Sequence, residues 1–207
     1  MFYQFKGNDE QSHTYLICRF GHCFLVDPSF DYQGIMDKLG SQMLDGILLT
    51  HGHSDHVGLI HKFHVPIYIH EADAALLFDD IHNGFDQVNK RLYKRKDLDI
   101  RIIKDNDLIP LADQNITVYH TPGHTKGSVT FLYDPYIFTG DTLFKGDIGR
   151  YDLYSGNLSD LKKSITRIIE LPNQNAKIYP GHDEMSTLRD ERKNNAFYLK
   201  WKKQGKI

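Results

Sequence analysis

Four metal-competent side chains fall within six residues in the run Thr50-His51-Gly52-His53-Ser54-Asp55-His56. Imidazoles with a few carboxylates form the donor set that zinc, and also iron, accepts. In a loop leaving a strand, His51 and His53 can point the same way. Asp55 and His56 can then face a second point close by, which suits two metal ions sharing one loop. Gly52 lets the backbone turn tightly between them. Three further turns each carry one donor at the end of a short β-rich run: Tyr119 to Thr125 with His124, Phe138 to Thr142 with Asp141, and Tyr179 to His182 with His182 itself. Adjoining Gly or Pro fixes such turns, and donors at strand ends sit on rigid supports. A single loop histidine is ordinarily a surface residue, and His13, His22, His61, His64, His70, His82 and His120 are read that way. The run His-x-His-x-Asp-His followed by three turn-borne donors is not explained so. A structural zinc would favour a Cys-rich site, and neither Cys18 nor Cys23 has that spacing.

The elements that must hold these donors are partly readable. Thr14 to Val26, broken at Phe20-Gly21-His22, reads as a hairpin ending at Asp27-Pro28. Tyr32 to Leu39 reads as a helix. Gly46 to Thr50 and Val65 to Ile69 are short apolar runs typical of buried strands, the second leading into a helix from Glu71 to Phe78. Residues 79 to 108 mix weak signals and are expected to form an insertion or lid-like segment bordering the site. Ile116 to His120, Val129 to Tyr133, Tyr136 to Thr139 and Ala176 to Tyr179 read as strands. Ser159 to Leu171 is an amphipathic helix with Leu161, Ile165, Ile168 and Ile169 on one face and Ser159 as its expected N-cap. A last helix is expected from Thr187 to about Lys203.

At 207 residues, 40% hydrophobic and 25% charged, the chain suits one soluble globular domain over 1–207. A net charge of −2 gives no basic excess for nucleic acid, and the Lys-rich end from Lys200 to Lys206 reads as solvated. No apolar run is long enough to span a bilayer, and the start of the chain lacks the pattern of a signal peptide. The expectation is a cytoplasmic protein without a membrane or nucleic-acid partner. Cys18 and Cys23 flank a hairpin turn; free thiols are expected in a reducing compartment, with a cross-strand disulfide as the alternative. Twelve histidines make histidine the unusual count.

The motifs from Asp27 to beyond His182 resemble the metallo-β-lactamase fold family, and within it the glyoxalase II (hydroxyacylglutathione hydrolase) group. Gly140-Asp141-Thr142-Leu143-Phe144, Ile148-Gly149-Arg150 and Thr187 to Asn195 are similar to the same group. The resemblance implies an α+β fold, a four-layer αββα sandwich with the site at one edge of paired sheets. It implies one metal held by His51, His53 and His124, a second by Asp55, His56 and His182, and Asp141 bridging the two. It makes Arg150 the position that grips a substrate carboxylate, with Tyr151 and Lys145 as further candidates. Asp27 is a candidate to orient a ligating histidine, or else a plain Asp-Pro turn residue. The best-known antibiotic-degrading subclass has Arg and Cys where this chain has His56 and Asp141.

Two divalent ions about 3.5–4 Å apart can hold a bridging water and lower its pKa toward neutrality. Zinc is the first expectation, with iron or manganese as alternatives. The resulting hydroxide would attack an acyl carbon, with Asp55 orienting the nucleophile. A thioester such as S-lactoylglutathione suits this chemistry, because a thiolate leaves without a strong general acid. Typical glyoxalase II carries a C-terminal helical domain that helps bind glutathione, and here only 25 residues follow His182. The small-molecule substrate therefore stays open. The alternatives are a mononuclear iron persulfide dioxygenase, a lactonase or other ester hydrolase of the same fold, and a non-catalytic binding module. Oligomeric state is not encoded in any of these patterns.

Overall fold

Alternate residues of the first hairpin face two different cores, and that decides the architecture. In the computed structural model, which describes residues 1–8, 10–88 and 91–205, Tyr15 and Ile17 pack with Phe24, Val26, Phe131 and Phe138 between two sheets. Leu16, Cys18 and Leu25 turn the other way, onto Ile35 and Leu39. A strand apolar on both faces must lie inside a layered stack.

The first sheet runs β1 (Phe2–Phe5), β2 (Thr14–Arg19), β3 (His22–Val26), β4 (Met43–Leu48), β5 (Ile67–His70) and β6 (Ile100–Ile103), neighbours in that order. The second contains β7 (Leu108–Leu111), β8 (Gln114–His120), β9 (Val129–Tyr133) and β10 (Tyr136–Gly140). A two-stranded ribbon follows, β11 (Leu143–Phe144) with β12 (Asp147–Ile148). The second sheet is then completed by β13 (Lys177–Pro180), parallel to β10, and β14 (Ser186–Thr187) at its edge. Helix α1 (Tyr32–Leu39) and the short helices α2 (Ser54–Val57), α3 (Glu71–Ala74) and α4 (Phe85–Val88) lie on the first-sheet side. Helices α5 (Leu158–Ile169), α6 (Leu188–Asn194) and α7 (Ala196–Lys203) cover the second sheet through Ile137, Ile165, Ile168, Leu188, Tyr198 and Trp201. The result is the expected four-layer αββα sandwich.

Several local expectations are corrected. Cys18 and Cys23 are not free thiols. The β2–β3 register sets them directly opposite one another, Cα atoms 4.1 Å apart, and they form a disulfide. The predicted helix from Glu71 to Phe78 breaks after Ala74 into a 3-10 turn at Leu76–Phe78, closed by Phe78 N–H on the Ala75 carbonyl (3.0 Å) and Asp79 N–H on the Leu76 carbonyl (3.1 Å). Helix α5 is capped not by Ser159 but by Asn157, whose carboxamide oxygen accepts the Asp160 N–H (3.1 Å). The single C-terminal helix is two helices divided at Asn195, whose side chain accepts the Tyr198 N–H and so starts the second. Residues 79–108 are not merely an insertion: their end forms β6, parallel to β5. Two histidines read as surface residues, His13 and His70, are buried. Of the basic end, residue 206 lies outside the described residues. No helix among the described residues is long and apolar enough to cross a membrane.

Candidate metal centre

Four loops leave the carboxyl ends of β4, β8, β10 and β13 at one edge of the sandwich and bring seven side chains together. Those chain ends carry His51 to His56, His124, Asp141 and His182 in turn. The side chains fall into two groups, His51 with His53 and His124, and Asp55 with His56, Asp141 and His182. Within each group one donor atom per residue lies within 4.8 Å of the others, so each could hold a metal ion. In the first, Nδ1 of His53 lies 3.1 Å from Nε2 of His51 and 3.0 Å from Nε2 of His124. The three rings stand nearly perpendicular to one another. In the second, Oδ2 of Asp55 lies 3.0 Å from Nε2 of His182 and 3.4 Å from Nε2 of His56. Asp141 faces both groups: Oδ1 is 3.3 Å from His56 Nε2, and Oδ2 is 3.8 Å from His124 Nε2.

The outer nitrogens of three rings have partners that fix their tautomers. Nδ1 of His124 donates to the Arg150 carbonyl (2.8 Å), which can only accept. Nδ1 of His56 donates to Oδ2 of Asp27 (2.9 Å). The Thr50 hydroxyl donates its proton to the same Asp27 oxygen (2.6 Å), which leaves it an acceptor for Nδ1 of His51 (3.1 Å). In each neutral ring the bare Nε2 therefore points inward, the arrangement outer hydrogen bonds impose on metal-ligating histidines. Asp27 also accepts the Thr50 N–H (2.8 Å), so it acts on rings of both groups rather than as a turn residue alone.

Close approach depends on glycine at two points. Gly140 has φ +49°, and a Cβ there would lie 2.3 Å from Oγ1 of Thr50. A Cβ on Gly181 would lie 2.3 Å from Oδ1 of Asp141 and 2.6 Å from the His56 ring. One residue missed by the sequence reading ties the loops together. Buried Asp73, in α3, accepts hydrogen bonds from Gly52 N–H (3.1 Å), Gly127 N–H (2.8 Å) and the Thr125 hydroxyl (2.7 Å). It thus joins the His51–His56 loop to the His124 loop. Its only trace in the sequence is an acidic residue in the first turn of a helix, which is common.

The electrostatics favour positive charge at the second group. Burial opposes a charge on His56, but Asp55, Asp141 and Asp27 outweigh it and hold its pKa well above the ordinary imidazole value. Burial likewise opposes ionisation of Asp141, yet His56 and then His124 hold its carboxyl below the usual range. In the first group burial, followed by neighbouring imidazoles, keeps His51 well below its ordinary value, and burial with His124 pulls His53 down to about 4. His51 and His53 are thus neutral, the state metal binding needs, whereas a cation at the second group would take the place of the proton that the carboxylates hold on His56. The donor set also fits a cation by its orphaned atoms. His56 Nε2 and Asp141 Oδ1 are buried with no hydrogen-bond partner among the described residues, a costly arrangement unless a positive ion lies between such atoms.

A cleft of about 540 Å³ opens over the centre. Its walls include His53 and Asp55, Ile81 to Gly84, and Arg150, Leu153 and Tyr154. Part of the segment 79–108 does border the site. The Arg150 guanidinium is exposed and paired with Asp152 at 3.0 and 3.2 Å. Lys145 instead pairs with Glu184 on the surface. Tyr151 lines a separate hollow with Phe197 and Trp201. Neither lines the cleft.

Known proteins share the sequence pattern and the fold. The family model described as "Metallo-beta-lactamase superfamily" matches residues 7–182. A protein of Streptococcus pyogenes named "probable metallo-hydrolase" is 32% identical, over 90% of this chain and 85% of its own. The crystal structure of the BLEG-1 B3 metallo-beta-lactamase superposes with a TM-score of 0.85 at 29% identity, covering 96% of this chain and 99% of that one. TTHA1623, solved in a di-iron-bound form, superposes at 0.79 with 28% identity, covering 94% and 99%.

Proposed function

This chain belongs to the metallo-β-lactamase superfamily, and we propose that it is a two-metal hydrolase acting on thioesters of the S-lactoylglutathione class. The observation that carries the two-metal reading is Asp141, whose carboxylate reaches both donor groups, Oδ1 toward His56 and Oδ2 toward both His124 and His182. His51, His53 and His124 would hold one cation, Asp55, His56 and His182 the other, with Asp141 shared. Zinc suits this set of imidazoles and carboxylates, as does iron, and a di-iron form is known for the similar TTHA1623. Bound there, the cations supply a water activated near neutral pH and a polarised acyl carbonyl.

The chain's own residues do the rest. Asp55 is a partly exposed carboxylate of the centre at the floor of the cleft, placed to accept a hydrogen bond from the attacking water and orient it. The cleft walls, apolar at Ile81 and Leu153 and cationic at Arg150, suit an acyl compound that carries a carboxylate elsewhere. A thiolate leaving group asks for no strong proton donor. The test is hydrolysis of S-lactoylglutathione by zinc-loaded protein beside a metal-stripped sample. Rapid turnover that vanishes on stripping is the expected result. No turnover with metal bound would overturn the thioester assignment. A second reading, β-lactam hydrolysis, is favoured by the likeness to BLEG-1, and cleavage of a chromogenic cephalosporin by the same sample would support it instead.

A further inference from the structure

His182 is held by a loop whose carbonyls are bound from the other sheet. The Tyr15 hydroxyl donates to the Pro180 carbonyl. The His13 backbone N–H donates to Gly181 (2.6 Å). The His13 imidazole donates from Nε2 to the carbonyl of Asp183 (2.7 Å). Three carbonyls flanking His182 are thus taken by two residues at the start of β2. The next contact along the same segment reaches the opposite side of the centre, where Ser12 N–H donates to the Asp55 carbonyl (3.2 Å). Residues 12–13 therefore strap the Asp55 loop to the His182 loop. Those are the side chains whose Oδ2 and Nε2 meet at 3.0 Å.

The His13 side chain is fixed from both ends. Gly7 N–H can only donate, and it lies 2.9 Å from Nδ1. Nδ1 is then the acceptor, the proton sits on Nε2, and Nε2 must donate to Asp183. The ring is 7% exposed, so neither contact is replaced by water. Asp183 itself stands at φ +66°, a backbone conformation that surrounding contacts must hold. None of the seven donors touches this ring among the hydrogen bonds of the described residues.

We infer that His13 is a positioning residue for His182: its Nε2–H fixes the 181–183 loop and so sets the geometry of the Asp55, His56, Asp141 and His182 group. This rests on the two-metal reading above. It assigns His13 no contact with substrate or cation. Residues that orient metal ligands from outside typically change affinity about 10–100-fold when removed. The expected effect is therefore a loss of that size for one ion of the two. The ion held by His51, His53 and His124 should be unaffected.

The experiment is a cobalt(II) titration of the full-length wild type, His13→Ala and His13→Gln, followed by visible absorption. Glutamine carries a donor and an acceptor on one side chain and can serve both contacts. The expected result is two ions in the wild type and in His13→Gln, with one ion weakened about 10–100-fold in His13→Ala and its absorption bands altered. A wild type that never takes up two ions would overturn the two-metal reading and this inference together. Two ions bound by His13→Ala with wild-type affinity would overturn this inference alone. Equal weakening of both ions, or a loss in His13→Gln as large as in His13→Ala, would also overturn it. Should His13→Ala not fold, nitrogen NMR of the wild-type ring decides: a protonated Nε2 with a bare Nδ1 upholds the assignment, and the reverse tautomer overturns it.

Discussion

Asp27 and His56 meet at 2.9 Å, carboxylate Oδ2 to imidazole Nδ1, with side chains 2% and 0% exposed. The same carboxylate takes the Thr50 hydroxyl and amide, and Thr50 in turn accepts from His51. One buried charge therefore orients a ring in each donor group. Asp27→Asn would place an NH2 against donors that need an acceptor. We expect it to fold and to lose about 10–100-fold in metal affinity, measured by competition with a chromophoric chelator. An affinity equal to wild type would show that Asp27 does not set these tautomers.

Asp73 holds the two histidine loops together from beneath. Its carboxylate is 1% exposed and accepts three hydrogen bonds. Burial raises its pKa, and the bonds from Thr125, Gly127 and Gly52 offset this only in part. Asp73→Ala would leave two backbone N–H groups without a partner, while the Thr125 hydroxyl keeps Ser128 Oγ at 2.8 Å. Each orphaned donor costs about 1–3 kcal/mol, so a loss of about 2 kcal/mol or more is expected in urea unfolding of the metal-free protein. A change below about 1 kcal/mol would mean that the loops close without it.

What could be read from the chain alone follows the range of each interaction. His51, His53, Asp55 and His56 lie within six residues, so their shared role is visible locally. The β-rich runs before His124, Asp141 and His182 are visible because a Gly or Pro, at Pro122, Gly140 and Pro180, marks the turn that follows each. Asp73 and His13 are different. Asp73 ties loops 21 to 54 residues away and His13 reaches as far as 170 residues, and neither has a neighbouring pattern to mark it. Choosing between free thiols and a Cys18–Cys23 disulfide needed the strand register. The helix break at Asn195 comes from a side-chain hydrogen bond that overrides apolar periodicity. Strand β6 was hidden because it is only four residues long, carries Arg101 and lies between the charged Asp99 and Lys104.

His70 should make the metal-free fold sensitive to acid. Its Nδ1 accepts the Ala72 N–H and caps α3 (3.3 Å), and its ring lies flat on His120 with centroids 4.0 Å apart. Burial first, then His120, lowers its pKa from the ordinary value of 6.5. A group whose folded pKa is depressed contributes its stability above the unfolded value and loses it as pH falls through the folded one. His70 therefore favours the fold above about pH 6.5 and opposes it below. His70→Asn keeps a capping oxygen and does not titrate. Its melting temperature should fall less than the wild type's between pH 7.5 and 5.5, and an identical fall would sink the idea.

Arg150 separates positioning from recognition within one residue. Its carbonyl accepts the Nδ1 proton of His124, while its guanidinium stands in the cleft wall, paired with Asp152. Truncating the side chain leaves the carbonyl, and hence His124, in place. An exposed ion pair contributes little to stability, so Arg150→Ala should fold as the wild type does. If the guanidinium grips a substrate carboxylate, that carboxylate must displace Asp152. Losing one charged hydrogen bond of about 1.4 kcal/mol then raises KM about tenfold and leaves kcat within about threefold. Asp152→Ala should do the opposite and lower KM, because the guanidinium no longer has a competing partner. Steady-state kinetics with S-lactoylglutathione and with an uncharged thioester tell these apart. The uncharged substrate should respond to neither change. A KM that stays fixed for both substrates would remove Arg150 from substrate recognition and leave only its carbonyl with a role.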